Sequence, residues 1–235
     1  MITTRAIVLS SVKFQDTSLI VRCYTLEGVR SYLLKGIFKH KKNGLKPAYF
    51  EPLTQLEIIA TDKNNGKLEY IKEAKVYYHY TLHQNIIKKT VLFFLSEISY
   101  MVLNEEFANE KLFYFIEESL QWYDKTEYFA NFHLKFLVDL TYFIGIFPNT
   151  SNMENPFFDL EEGIFVSENN GHFLFSEEDS EVLKYFLTHS LEDSCILKMN
   201  KIQRNKLLEQ MIKYYLWHIP TFKVPKCWEV LRTIL

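Results

Sequence analysis

The residues best suited to chemistry lie in one short run, Lys35-Gly36-Ile37-Phe38-Lys39-His40-Lys41-Lys42-Asn43-Gly44-Leu45-Lys46-Pro47, with five lysines in twelve residues. Ammonium groups on flexible stems tolerate the irregular path of a phosphate backbone, so Lys35, Lys39, Lys41, Lys42 and Lys46 form a candidate polyanion-binding set. Arg22 and Arg30 add guanidinium groups on neighbouring segments. Tyr24, Tyr32 and Phe38 stand close by, with Tyr49 and Phe50 just beyond, and rings of this kind stack on nucleic-acid bases without regard to sequence. The bland alternative is a solvated loop beside ordinary core aromatics. Charge distribution favours the first reading. Residues 1–75 hold 13 Lys and Arg against 7 Asp and Glu, a net of +6, whereas residues 76–235 hold 14 against 22, a net of −8. The overall −2 therefore conceals a basic module joined to an acidic one, and the two suit different partners.

Signs of catalysis are weak. The chain has no Gly-rich phosphate loop, GxSxG or HExxH pattern. Asp159, Glu161 and Glu162, with His172 nearby, would be the only acid/base or metal cluster to consider, and a solvated turn explains them better. The acids of the basic module (Asp16, Glu27, Glu51, Glu57, Asp62, Glu69 and Glu73) are scattered, which argues against a nuclease. His40, His79 and His83 have no partner cysteines. Cys23, Cys195 and Cys227 are odd in number and far apart, and no signal peptide opens the chain, so reduced thiols in a cytoplasmic protein are expected. No apolar stretch is long enough to predict a membrane span.

The elements that must position the basic run read as short strands: Ala6–Leu9, Leu19–Thr25, Val29–Ile37, Leu53–Ala60 and Leu68–Ala74. Turn signals lie at Glu27-Gly28 and Asn64-Asn65-Gly66. Five short strands in about 70 residues suit a small closed barrel. Arg22 and Tyr24 alternate with apolar neighbours, as do Arg30 and Tyr32. A two-residue turn pairing Leu26 with Val29 puts these sets on opposite faces, and a three-residue turn pairing Leu26 with Arg30 puts them on one. After Tyr80 the period becomes helical, with helices expected over 84–103, 112–123, 129–144, 176–188 and 202–217. Leu160–Val166 and His172–Phe175 read as a small hairpin. Phe93, Phe94, Phe113, Phe115, Phe132, Phe136 and Phe143 read as core, part of which could line a peptide groove. The fold class is thus α+β: a small N-terminal β-barrel at residues 1–78, then an all-helical C-terminal domain at 79–235 with a hairpin insertion at about 149–176.

These patterns resemble the RecO family of bacterial DNA repair and recombination mediators over nearly the whole chain. The resemblance rests on Ala6-Ile7-Val8-Leu9, Asp16 to Thr25 and Glu27-Gly28. It continues through Lys35-Gly36 with the basic residues after it, Phe50-Glu51-Pro52-Leu53, Glu69 to Ala74, Gly145 with Pro148-Asn149, and Phe222-Lys223 with Trp228-Glu229-Val230-Leu231. It implies an N-terminal OB-fold, binding of single- and double-stranded DNA, strand annealing and no enzymatic activity. It also implies partnership with RecR and with the C-terminal tail of single-stranded-DNA-binding protein during RecA loading, and hence nucleoid association during repair. An RNA-binding OB-fold accessory factor of translation or ribosome assembly is the alternative. A groove for the acidic tail would combine aromatics with Lys88, Lys89 or Lys135.

Many members of the family carry a four-cysteine zinc module after the Gly…Pro-Asn segment, but residues 146–194 contain no cysteine here. Phe157, Phe158, Ile164, Phe165, Val166, Phe173 and Phe175 offer apolar packing in its place, and neither a metal nor a cofactor is expected. Protein purified without a tag should therefore carry well under one zinc per chain by elemental analysis. Stoichiometric zinc whose removal lowers the Tm would overturn this expectation.

Overall fold

The computed structural model describes residues 1–39, 44–61, 68–82, 85–103, 108–171 and 173–234. They pack as two compact units, Met1–Lys125 and Thr126–Leu235. The first unit takes in two helices together with the barrel, and so extends beyond the residue-78 limit that composition suggests for the barrel itself.

Five strands build the barrel: β1 (Ile2–Phe14), β2 (Ser18–Thr25), β3 (Gly28–Leu34), β4 (Gln55–Ala60) and β5 (Ile71–Val76), in spatial order β3-β2-β1-β4-β5. Their period-two alternation sends Ala6, Val8, Leu19, Val21, Cys23, Tyr32, Leu34, Leu56 and Ile58 into one core, joined by Phe50 from the turn after β3. The long β1 serves two neighbours, β4 through Ile2–Ile7 and β2 through Ala6–Phe14, and a bulge between Val8 and Ser10 lets it change direction between them. The outer strands meet through a parallel bridge between Tyr32 and Glu69, in which the Leu33 amide donates to the Glu69 carbonyl at 2.7 Å and the Glu69 amide to the Ser31 carbonyl at 3.0 Å. This is the OB arrangement.

The β2–β3 turn decides which side chains share a face. It has two residues, Leu26 and Glu27, and pairs Thr25 with Gly28, a two-residue turn as in the first sequence alternative but set one position earlier in the chain. Gly28 takes φ +99°, a region open to glycine at little cost. Arg22 therefore faces Ser31 and Cys23 faces Arg30, so the two Arg/Tyr sets lie on opposite faces.

Helices α1 (Ile86–Val102) and α2 (Glu110–Lys125) complete this unit. Two buried charges secure the passage from barrel to helices. The Asp124 carboxylate accepts from the Thr81 and Leu82 amides at 2.9 and 2.8 Å and from the Tyr78 hydroxyl at 3.0 Å. The Lys88 ammonium donates to the Tyr123 and Asp124 carbonyls at 2.8 and 3.0 Å, placing a cation on the C-terminal end of α2. Burial lowers the pKa of Lys88, and the Asp124 charge opposes that shift.

In the second unit, α3 (Phe132–Phe143) is followed by β6 (Phe157–Asp159), β7 (Ile164–Val166), α4 (Glu177–Thr188), α5 (Leu191–Ile196), α6 (Lys201–His218) and α7 (Trp228–Ile234). The hairpin differs from the expected pairing. β7 pairs with Phe157–Asp159, and the segment expected as its partner instead bridges Asp159 through Leu174. Phe158 explains this choice: its ring lies 5.0 Å from Phe165, 5.1 Å from Phe175 and 5.8 Å from Tyr214, so pairing through residues 157–159 buries the aromatic centre. Gly163, at φ +68°, closes the turn where a Cβ would meet the Tyr214 hydroxyl at 3.0 Å. The short helices α5 and α7 lie outside the expected elements. Ser190 caps α5, its hydroxyl accepting from the Asp193 amide, but six residues show too little period to be recognised in sequence.

His133 is 1% exposed, and neither ring nitrogen has a hydrogen-bond partner. Burial, reinforced by the Arg204 charge, pushes its pKa down to about 3. The unfolded chain therefore binds one more proton than the folded chain between about pH 6.5 and 3, and stability falls as pH drops through that window by up to about 1.4 kcal/mol per unit. His133→Leu is expected to remove this share of the acid sensitivity without lowering stability at pH 7. Urea titrations at pH 7 and 4.5 compare the two proteins, and an equal acid loss in both would exclude His133 as the source.

Candidate nucleic-acid interface

The chain leaves β3 at Leu34 and turns immediately. The Lys39 amide donates to the Gly36 carbonyl at 3.1 Å, and the Phe38 amide reaches the Thr17 carbonyl in the β1–β2 hairpin at 3.3 Å. This turn sets Lys35, Phe38 and Lys39 out in solvent at one end of the barrel. Lys46, also exposed, returns to the same place just before the 3-10 turn Pro47–Phe50.

Two open clefts meet at this turn. The first, about 670 Å³, is lined by Lys35, Lys39, Lys46, Tyr49 and Lys72, with Glu73 its one acid among the described residues. The second, about 680 Å³, lies towards the β1–β2 hairpin and is lined by Phe14, Gln15, Leu33, Lys35 and Lys39. Large rings stand beside the lysines while remaining exposed: Phe38 at 44%, Phe14 at 40% and Tyr70 at 42%. The Lys35 ammonium lies 5.2 Å from the Tyr70 ring centre and that of Lys13 lies 6.0 Å from the Phe38 ring centre. Cations and exposed rings thus share one surface, where they can meet phosphates and unstacked bases together.

Of the residues singled out in sequence, the structure brings Lys35, Phe38, Lys39 and Lys46 together. Lys41 and Lys42 lie outside the described residues. The others serve the fold. Tyr24 is fully buried on the outer face of the sheet, its ring centre 6.1 Å from that of Phe113 and its hydroxyl donating to the Asn109 carbonyl at 3.2 Å. Burial, opposed by that hydrogen bond, pushes its pKa up to about 12. Tyr32 and Phe50 are 1% exposed inside the barrel. None of these rings offers a face to a base.

Arg22 is likewise engaged. Its guanidinium lies 4.6 Å from the Tyr100 ring centre and donates to the Leu103 carbonyl at 2.9 Å, at the C-cap of α1. Arg30 is half-buried, donates to the Val29 carbonyl, and sits five residues before Lys35, about 16 Å along the strand. Tyr49 packs partly on the barrel core and lines the first cleft. Lys88 and Lys135, considered for a peptide groove, are buried, and Lys135 is paired with Asp139 at 2.7 Å. Asp159 accepts from the Glu161 and Glu162 amides at 2.9 and 3.2 Å, forming a turn, and no group of three metal-binding side chains occurs among the described residues.

Sequence reasoning passed over Lys13, Phe14, Tyr70 and Lys72. Their only local signal is position beside a turn. Barrel closure brings the β1–β2 hairpin and the start of β5, with Tyr70 just before it, to the basic turn, the region where OB-folds hold oligonucleotides.

Family models for the N-terminal and C-terminal parts of recombination protein O match residues 1–80 and 83–226. The chain belongs to the recombination protein O family. It is 40% identical to DNA repair protein RecO of Flavobacterium psychrophilum, over 99% of this chain and 98% of that one. It is 39% identical to the protein of the same name from Christiangramia forsetii, over 100% and 99%, and 36% identical to that from Phocaeicola vulgatus, over 98% of each. Membership of the recombination protein O family carries the broad role with it, DNA repair and recombination. No helix among the described residues is long and apolar enough to cross a membrane.

Since Arg22 holds the end of α1, Arg22→Ala is expected to lower stability by about 1 kcal/mol, through loss of a cation and its hydrogen bond at a helix C-terminus. Denaturant unfolding measures this. A variant as stable as the parent would leave the Arg22–Leu103 contact without energetic weight.

Proposed function

We propose that this chain is a non-enzymatic recombination mediator. In this reading it binds single- and double-stranded DNA at the basic end of its barrel, promotes annealing of complementary strands, and helps to load RecA together with RecR. The observation that carries the reading is the convergence of Lys35, Lys39, Lys46 and Lys72 with the exposed rings Phe14, Phe38 and Tyr70. Annealing needs no catalytic group. A cationic surface that neutralises two strands lowers their repulsion and raises their local concentration.

The acidic helical part, residues 76–235 at −8, is unsuited to phosphate and is assigned here to protein partners, RecR and the tail of single-stranded-DNA-binding protein. Its exposed Phe173–Trp217 pair, with ring centres 5.0 Å apart, is the kind of aromatic surface an apolar peptide end would use.

If about four phosphates are neutralised, log K for single-stranded DNA should fall with log salt at a slope of about −3. Changing Lys35, Lys39, Lys41 and Lys42 together to Ala is expected to flatten that slope. Gel shifts over a salt series, run with matched DNA and RNA and with and without the complementary strand, measure it. An unchanged slope would move the DNA site off this turn, and preference for RNA without annealing would favour a translation or ribosome-assembly role.

A further inference from the structure

The two clefts share a wall. Lys35, Gly36 and Lys39 line both, so the turn after β3 stands as a ridge with lysines available to either side. The ridge is held by backbone hydrogen bonds, from Phe38 to the β1–β2 hairpin and from Lys39 back to Gly36. Each cleft also has its own equipment: Lys46, Lys72 and Tyr49 on one side, Phe14 and Gln15 on the other. The volumes, about 670 and 680 Å³, are nearly equal, and each falls within the roughly 300–1,000 Å³ typical of ligand sites.

A groove built for one strand would present a single track with cations along it. Here the shared cations lie between two tracks. Two DNA backbones laid side by side repel across a distance comparable to the Debye length, about 8 Å at physiological salt. A lysine placed between them attracts both, and it engages phosphates while leaving base edges free to pair.

We propose that the barrel holds two single strands at once, one in each cleft, with Lys35 and Lys39 as the shared counter-charge that brings complementary strands into register for annealing. This rests on the reading of the barrel as the DNA surface and adds a stoichiometry and a geometry to it.

The test counts strands on the full-length chain. Native mass spectrometry and fluorescence anisotropy with oligothymidylates of about six nucleotides, within the site size of one OB-fold, should give two strands per chain. The double variant Lys46→Glu/Lys72→Glu and the single variant Phe14→Glu should each retain one strand and anneal complementary oligonucleotides several-fold more slowly. Lys35→Glu/Lys39→Glu should weaken both. All these positions are exposed, and thermal melts check that the variants remain folded. One strand per chain in the parent, or loss of both strands on altering one cleft, would overturn the two-cleft arrangement while leaving the barrel as the DNA surface. A parent that binds no DNA of any length would instead overturn the DNA reading itself.

Discussion

The first unit depends on how one face of its sheet is covered. Outward-facing Tyr24 and Gln55 are fully buried, and Arg22 and Arg5 beside them, though partly in solvent, are also engaged. They meet α1 and α2. Arg5 pairs with Glu117 at 3.1 Å, and Tyr77 also donates to that carboxylate. Gln55, fully buried, donates to the Glu117 carbonyl at 3.2 Å and to the Tyr80 hydroxyl at 3.1 Å, and accepts from Gln121 at 2.8 Å. Buried polar groups are costly unless each has a partner, so these contacts fix the placement of the helices on the sheet as well as burying apolar area.

That cover has a functional consequence. With the outer face of β2 occupied, the polar and charged residues there become structural, and the proposed DNA surface is the end of the barrel where β3 exits. Charge follows the same division. Arg22 and Arg5 engage a helix end and a carboxylate, as planar multi-donor groups do well, while Lys35, Lys39, Lys46 and Lys72 stay at the open end, where a mobile point charge suits an irregular polyanion. Lys88 behaves differently. Buried at the end of α2, it serves that helix and is lost to any ligand.

The second unit shows the same economy in different chemistry. Where some members of the family use a metal module, this chain gathers Phe158, Phe165, Phe175 and Tyr214, with Gly163 making room for the tyrosine hydroxyl. The start of α4 is fixed by Asp179. Burial raises its pKa, but hydrogen bonds from Lys206, Ser176 and Gln210 outweigh that effect and leave it below the usual carboxylate value. Apolar packing and one well-partnered carboxylate thus hold a segment that cysteine ligands hold elsewhere.

Much of this was legible along the chain. The change from period two to period 3.6 near Tyr80, the Glu-Gly turn, the lysine run and the missing cysteines all express local chemistry, and local chemistry is what a sequence carries. They determined the α+β class, the barrel-then-helices order, and Lys35, Phe38, Lys39 and Lys46 as a solvent-facing set. What they could not convey was contact between distant segments. Tyr24 and Tyr32 have the same residue type and similar neighbours as an exposed platform would have; only the two-residue length of the β2–β3 turn and the arrival of Phe113 put one under a helix and the other inside the barrel. Arg22 reads as a free cation until the end of α1 meets it. Lys13, Phe14, Tyr70 and Lys72 read as unremarkable turn-flanking residues until closure of the barrel brings the β1–β2 hairpin and the start of β5 beside the turn after β3. Tertiary structure alone decided these matters, because burial and proximity arise from long-range pairing and not from any property of the residues taken in order.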